Sequence, residues 1–454
     1  MKKQAFKQYR KNKRGFNRFI KSIGRAGKVF YPIIKKTTAN SNINKKNTCI
    51  IDEFDLSEPL KFLFENKNFF TDKPAHIPKN GVLNVPKIFS LVESPKESFQ
   101  FLKDLLYTLR YPKSKRIKIN YKKCVRIDLD ASICNDIILL EFINAFKSCN
   151  ERKIILETRK INTENLINET VSKFLYAIGS HKIIGNKKII FPNILTCDLT
   201  IGDKRKGIAY KDVESTKLVQ HIEKCLIKMN KKLTQDAREN FGEIIAEVIA
   251  NAEEHNKTNF HYSIGHFEEN TNNDKHIGKF QLVIFNFGES IYERFKNPEA
   301  CKNQAILDDM RNLSDKYTKK GFFGFLNGSK FEEETLWTLY SLQDGVSSVD
   351  NTRGNGTIKF IENFLELADD ADSKPSNFHL FSGNTLIKFD GKYKTYPKFN
   401  AKNEEFKIIP FNAENTLDEK PDQNYVKFVD NYFPGVMIYA NICISKNDII
   451  ENEK

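Results

Sequence analysis

The sequence contains no C-x-x-C pair, and its eight cysteines are spread along the 454 residues. This spacing argues against a zinc ribbon and against a dense disulfide framework, so we expect reduced thiols. No apolar run approaches the roughly 18 residues of a membrane-spanning helix, and the N-terminal stretch lacks the apolar core of a signal peptide. We therefore expect a soluble, cytoplasmic protein. The cysteines are Cys49, Cys124, Cys134, Cys149, Cys197, Cys225, Cys301 and Cys443.

Acidic residues are missing from residues 1–46, which contain fifteen Lys or Arg. Subtracting these from the 73 basic residues of the chain leaves 58, equal to the 58 acidic residues, so the net charge of +15 belongs to this segment. Aromatic and aliphatic residues such as Phe16, Phe19 and Ile20 lie between the basic ones. Such a basic arm suits nucleic acid, an anionic membrane surface or an acidic partner, and it equally suits a disordered extension. The sequence leaves these alternatives open.

Residues 47–204 alternate between strand-like and helix-like patterns. Ser94, Pro95 and Glu97 form a capping-box pattern with proline at the first helical position, which predicts a helix to about Arg110. Further patterns predict strands at 125–129 and 153–156 and helices at 137–146 and 164–177. This β-α-β-α order is typical of a small α/β domain.

The stretch 125–156 resembles the STAS fold of anti-anti-sigma factors, in which a strand ending in Asp-Leu precedes a turn and a helix. Asn135 and Asp136 stand where that family often has Asp-Ser, so no phosphoacceptor serine is evident. The resemblance implies a domain that binds a protein partner rather than one that catalyses a reaction.

A helix predicted over 215–231 carries His221. The residues after His221 lack the acidic, basic and proline sequence of a histidine-kinase phosphoacceptor site. We therefore expect His221 to be an ordinary histidine on a helix surface.

No Lys or Arg interrupts residues 239–256, although lysine is abundant elsewhere. Apolar residues from Phe241 to Ala252 recur at spacings of three and four, which predicts a helix with one buried stripe. Glu247, Asn251 and His255 recur every fourth position and form a polar stripe beside it. This stripe gathers oxygen ligands, unless the helix is an ordinary solvated one.

The pattern Glu-x-x-x-Asn-Ala-x-x-His resembles the N-box of the GHKL ATPases, the superfamily of gyrase, histidine kinases, mismatch-repair ATPases and anti-sigma kinases. The resemblance implies that Asn251 binds Mg²⁺ through its amide oxygen and that Glu247 is the general base of hydrolysis. His255 occupies a position that anti-sigma kinases also use. Mg²⁺ prefers hard oxygen ligands and keeps most of its water, which suits one amide together with phosphate oxygens.

Strands predicted at 260–264 and 279–287 are joined by a polar loop, and the second strand places Asn286 at the end of its buried face. In the GHKL family an Asp-x-Gly-x-Gly box stands here, and its Asp accepts a hydrogen bond from the adenine amino group. Asn286 replaces the Asp and can still accept that bond, Gly288 is retained, and Ser290 replaces the second glycine.

Residues 292–333 correspond to the mobile ATP lid of the family, and Lys319 and Lys320 would contact the phosphates. The alternative is a segment that is always folded around its own phenylalanines at 322, 323 and 325. Farther along lies a second glycine box that opens an amphipathic helix, where backbone amides and the helix N-terminus would bind phosphate. This box comprises Arg353, Gly354, Asn355, Gly356 and Thr357.

The predicted fold class is α/β, with a C-terminal α/β sandwich of the GHKL (Bergerat) type. The predicted divisions are a basic arm at 1–46, an interaction domain at 47–204, an ATP-binding domain at 205–446 and a tail at 447–454. Fold analogy alone does not identify the activity carried by these domains.

The resemblance implies a regulatory ATPase that binds ATP and Mg²⁺ and whose nucleotide state controls lid closure and contacts with a protein partner or a second copy. The alternatives are a protein serine kinase of the anti-sigma type and a nucleic-acid-binding scaffold with a vestigial nucleotide pocket. A role in bacterial stress signalling or phage defence is suggested by the resemblance alone.

Overall fold

The computed structural model describes residues 28–30, 56–70, 81–111, 116–148, 155–158, 168–183, 191, 193–206, 209–254, 258–269, 276–301, 303–318, 332–346, 356–369, 376–399 and 403–452. The chain is mixed α/β, which confirms the predicted class, and the GHKL type of sandwich stays a prediction. It divides into two units, one ending at Thr196 and the other beginning at Cys197.

The first unit contains a mainly parallel sheet in the order β1-β6-β4-β2, in which only β1 is antiparallel to its neighbour, and a separate parallel pair β3-β5. Its strands are β1 (Lys28–Phe30), β2 (Val82–Asn84), β3 (Ile88–Phe89), β4 (Arg116–Asn120), β5 (Arg126–Ile127) and β6 (Ile155–Thr158). Its helices are α1 (Glu58–Glu65), α2 (Pro95–Arg110), α3 (Leu129–Ser148), α4 (Glu169–Ala177) and α5 (Ser180–Ile183).

The bounds of α2 confirm the predicted helix, but the expected capping box is absent at its start. The Ser94 hydroxyl donates to the Glu97 carboxylate at 2.9 Å and makes no cap bond to the backbone. Helix α3 is longer than the prediction of 137–146 because buried residues occupy all its sides, which erases the amphipathic period. Its first turn is anchored by Asp130, which accepts from the backbone N–H groups of Leu91 and Val92.

Part of the predicted arm belongs to the first unit. Residues Lys28–Phe30 form β1, which pairs with Ile155–Glu157 of β6. The division of residues 1–46 as a basic arm stays a prediction. The strand within it was not predicted, because a strand partner supplies backbone hydrogen bonds that composition does not reveal.

The second unit is built on an antiparallel five-stranded sheet in the order β11-β14-β10-β9-β7. Its strands are β7 (Thr200–Asp203), β8 (Lys231–Leu233), β9 (Phe260–Glu269), β10 (His276–Phe287), β11 (Asn377–Phe389), β12 (Tyr396–Phe399), β13 (Glu405–Ile408), β14 (Val426–Ser445) and β15 (Ile449–Glu451). Its helices are α6 (Ala209–Lys228), α7 (Gln235–Glu254), α8 (Ile291–Lys296), α9 (Gln304–Thr318), α10 (Glu333–Tyr340) and α11 (Gly356–Asp369).

Three helices cover one face of this sheet. A single cross-strand row contains Gly265, Leu282, Ala440 and Phe378. At one end of the row a Cβ on Gly265 would contact Leu218 of α6, and at the other end Phe378 packs on Phe364 of α11 at 4.7 Å between ring centroids. Helix α7 contacts both α6 and α11, as well as β9 and β10, and so lies between them.

The opposite face of the sheet carries an aromatic cluster near the end of β10. Tyr262, Phe285, Phe287 and Phe433 are all buried, with ring centroids 5.1–6.3 Å apart. The period of two along β10 therefore places aromatic residues on this face and Ile284 and Asn286 on the face that the helices cover.

The segment predicted as a loop-like ATP lid is helical over most of its described part. Helices α8 and α9 occupy 291–296 and 304–318, and they pack with α10 around a buried cluster that includes Phe295, Met310 and Trp337. The described part of the predicted lid at 292–333 is therefore helical rather than a loop, because these apolar side chains supply a local core, and its ordering by nucleotide stays a prediction. Residues 319–331, including Lys319, Lys320 and the phenylalanines of the alternative reading, lie outside the described residues.

Both predicted edges of the second domain also need correction. Strand β7 pairs with β9 before the predicted boundary at 204/205, so the unit begins at Cys197. The predicted tail contains β15, which pairs with β8 and therefore belongs to the unit. Both strands are too short for a reliable sequence pattern.

Candidate functional site

Helix α7 has the buried stripe that the sequence predicts. Ala237 N–H donates to the Thr234 hydroxyl at 3.2 Å, which caps the first turn. The stripe is buried along its whole length, while Glu243 is exposed and Glu247 is half-buried beside it. The stripe residues are Phe241, Ile244, Ile245, Val248, Ile249 and Ala252.

The structure places Asn251 in the last turn of α7, one turn after Glu247. Residues four apart in sequence lie on the same face of a helix, as the predicted polar stripe requires. His255, the third member of the predicted stripe, lies outside the described residues.

Asn286 is one of several buried polar residues of this unit with a side-chain atom that lacks a partner among the described residues, and the one in which both side-chain atoms do. It is fully buried, on the helix-covered face of β10, and neither its amide oxygen nor its amide nitrogen has a hydrogen-bond partner among the described residues. A buried amide without partners costs roughly 1–3 kcal/mol on the protein scale. Strand β10 accounts for the position, since Asn286 pairs with Val436 of β14 and its backbone is held by the sheet.

The turn after Asn286 is fixed by contacts from two sides. Gly288 N–H donates to the Pro434 carbonyl at 3.1 Å, and the Thr258 hydroxyl donates to the Phe287 carbonyl at 2.8 Å. Gly435 has φ +148°, and a Cβ at this position would overlap the Asn286 carbonyl oxygen. Glycine is therefore required at 435, and Asn286 sits on a rigid support.

Ser290, which replaces the second glycine of the family box, has a structural role that the sequence analysis missed. Its hydroxyl accepts from Glu293 N–H at 3.1 Å and the Glu293 carboxylate accepts from Ser290 N–H at 2.8 Å, a complete capping box at the start of α8. The pattern Ser-x-x-Glu at 290–293 is the signal that could have identified it.

A buried polar network lies on the same face of the sheet as Asn286. The Glu214 carboxylate of α6 is 2.9 Å from Nε2 of His261 and also accepts from the Ser263 hydroxyl. Nδ1 of His261 is 3.7 Å from the Glu253 carboxylate of α7. Gly202 of β7 makes room for the imidazole, because a Cβ there would overlap the ring.

This network joins α6 and α7 to β9. Glu214, His261 and Ser263 are at most 1% exposed. Its members are separated by up to 49 residues in sequence, so no local motif could have predicted it. Glu253 is two residues beyond Asn251, and the contact with His261 therefore helps to position the last turn of α7.

Of the predicted second glycine box, Gly356 and Thr357 begin α11, and Arg353, Gly354 and Asn355 lie outside the described residues. Helix α11 packs against α7, so its N-terminal end and the Asn251 end belong to the same helical layer. The start of a helix at this box is confirmed.

His221 is buried rather than on a helix surface, which corrects its prediction. Nε2 of His221 is 3.7 Å from Sγ of Cys225, one turn away on α6, and burial lowers the pKa of His221 to about 4. The imidazole is neutral at pH 7 and belongs to the packing of α6. The sequence did not predict this burial, because the face of α6 that packs on the sheet is wide enough to include His221.

Within the described ranges, no group of three or more His, Cys, Asp or Glu side chains could hold a metal ion. A magnesium site with a single asparagine ligand would not form such a group. Among the same residues, no helix has the length and apolarity needed to cross a membrane. Comparisons with family models, with curated proteins and with solved structures found no match to this chain.

Proposed function

We propose that the second unit binds Mg²⁺-ATP as a GHKL-type module. The observation that carries the proposal is the buried amide of Asn286, whose two hydrogen-bonding atoms both lack a partner in the described part of the chain. Native proteins pair nearly all buried polar groups, so an exception on a rigid strand end points to a missing ligand. An adenine 6-amino group would donate to the amide oxygen and remove the penalty.

The residues around Asn286 support the same ligand. Asn251 would bind Mg²⁺, and the box at Arg353 to Thr357 would bind phosphate at the start of α11. The magnesium ion would neutralise phosphate charge when bound. Lys319 and Lys320 would add positive charge, as the resemblance implies.

Glu247 is the proposed general base for hydrolysis. It lies one turn before Asn251 on α7, and its half-buried position allows contact with a water molecule. A carboxylate that removes a proton from an attacking water typically contributes on the order of 10²–10⁴ in rate. Contacts to a protein partner or a second copy would then depend on the nucleotide state.

Calorimetric titration of the full chain with Mg²⁺-ATP tests the proposal. Asn286→Leu should weaken binding on the order of 10²-fold, because it removes the only side-chain contact that we assign to the base. Asn441→Leu is the matched control, since Asn441 is a buried asparagine on the opposite face of the same sheet. Absence of Mg²⁺-ATP binding to the wild type, or equal affinities for wild type and Asn286→Leu, would contradict the proposal.

A further inference from the structure

The orientation of the Asn286 amide is not fixed by its surroundings. The neighbouring polar side chains on this face are already engaged, since Ser263 and His261 bond Glu214 and the Ser382 hydroxyl accepts from Ile291 N–H at 2.8 Å. The Asn286 oxygen and nitrogen both lack partners among the described residues. Exchanging their positions by rotation of the amide therefore breaks no hydrogen bond within that part of the chain.

Such an amide is complementary to either of two base edges. With its oxygen toward position 6 of a purine, it accepts from a 6-amino group and donates to N1, as adenine requires. With its nitrogen toward position 6, it donates to a 6-oxo group and accepts from N1–H, as guanine and hypoxanthine require. An ionised aspartate has only acceptors, so it can donate neither to N1 of adenine nor to a 6-oxo group.

The backbone of Asn286 is engaged in the sheet, so the contact with the 6-amino or 6-oxo edge of a base falls to its side chain. The Asn286 main chain pairs with Val436 in the sheet, and Gly435 lies against its carbonyl. The side chain is therefore the group at this strand end that is available to distinguish one purine from another.

We propose that this site accepts purine nucleoside triphosphates with either a 6-amino or a 6-oxo group, and that Asn286 permits both. This inference rests on the proposed function. Asn286 is then a specificity-determining residue, because its amide offers both a donor and an acceptor in either order.

Competition titrations of the full chain with Mg²⁺-ATP, Mg²⁺-GTP and the triphosphate of purine riboside, which lacks a 6-substituent, test this inference. Wild-type Kd values for ATP and GTP should agree within about fivefold, and the unsubstituted purine should bind more weakly than both because one hydrogen bond is lost. These wild-type measurements require no variant to fold.

Two variants then assign the effect to Asn286. Asn286→Asp, measured at pH 8.5 to favour the ionised carboxylate, should weaken ATP and GTP alike by about 20-fold or more, because a carboxylate has no donor for N1 of adenine or for the 6-oxo group of guanine. Asn286→Leu should weaken both nucleotides equally. Circular dichroism melting confirms that each variant is folded.

The outcomes separate the inference from the proposed function. If the wild type binds ATP more than about 50-fold tighter than GTP, beyond the effect of one typical hydrogen bond, the inference is wrong and the proposed function stands. Affinities for ATP and GTP that are both unchanged in folded Asn286→Asp also overturn the inference. If no nucleotide binds, both proposals fail.

Discussion

Removing the Glu214 carboxylate should destabilise the second unit strongly. Glu214 is 1% exposed, 2.9 Å from Nε2 of His261 and hydrogen-bonded to Ser263. In Glu214→Ala the imidazole and the hydroxyl lose their partner in a site closed to water. Each buried group left without a hydrogen-bond partner typically costs about 1–3 kcal/mol, so two such groups cost roughly 2–6 kcal/mol. The melting temperature of a unit this size shifts by roughly 2–4 °C per kcal/mol. We therefore expect the melting temperature to fall by about 10 °C.

The single tryptophan of the chain makes the assay selective for this unit. Trp337 is 2% exposed in α10, so its emission should shift to the red when the second unit unfolds. Urea titrations followed by this emission should give the free energy of unfolding for wild type, Glu214→Ala and Glu214→Gln, with the Gln variant intermediate because it keeps hydrogen-bonding atoms. Glu243→Ala removes an exposed carboxylate from α7 and should change stability by less than about 0.5 kcal/mol. A loss under about 1 kcal/mol in Glu214→Ala would refute the reasoning.

Three further predictions concern the site, its support and the first unit. Glu247→Ala should keep Mg²⁺-ATP affinity while phosphate release falls on the order of 10²-fold, and equal turnover would exclude Glu247 as the base. Gly435→Ala should lose nucleotide binding and at least about 2 kcal/mol of stability, because its Cβ would overlap the backbone of Asn286. The control Gly391→Ala should lose only about 1 kcal/mol, because Gly391 also has a positive φ of +84° but no atom of the described residues lies near the added Cβ. Burial raises the pKa of Asp130 and of Asp136 to about 7, so the folded state keeps protons that the unfolded chain releases near pH 4. The first unit should therefore lose stability as pH rises from about 4 to 7 and then level off, and melting curves of Asp136→Asn that fall as steeply as wild type would contradict this cause.

The spacing of apolar residues was sufficient to predict the two elements nearest the proposed site, α7 and β10. The stripe from Phe241 to Ala252 predicted α7, and the alternation ending at Asn286 predicted the buried face of β10. Both patterns are local. Helix α7 buries one stripe, so its period reports burial, whereas both faces of β10 are buried and its alternation reports only which residues share a face. The start of α11 was also predicted, because glycines precede an amphipathic run of residues there.

The predictions failed where a segment packs or pairs with residues far away in the sequence, because the local sequence does not show which residues those are. The lysines and glycines of 292–333 suggested a loop, but Phe295 and Met310 meet Trp337 from a separate helix and form a core. Strands β7 and β15 owe their structure to pairing with distant strands. The network of His261 with Glu214 depends on packing between α6 and the sheet, which no spacing in the sequence reports.

The most direct test of nucleotide binding is a crystal structure of the full chain with Mg²⁺ and a non-hydrolysable ATP analogue. We predict that the base edge contacts the Asn286 amide within hydrogen-bonding distance, that the ion is bound by the amide oxygen of Asn251, and that the phosphates meet the box at Arg353 to Thr357. A structure determined at saturating nucleotide in which the Asn286 amide remains unpaired, or in which the nucleotide occupies another surface, would contradict the account.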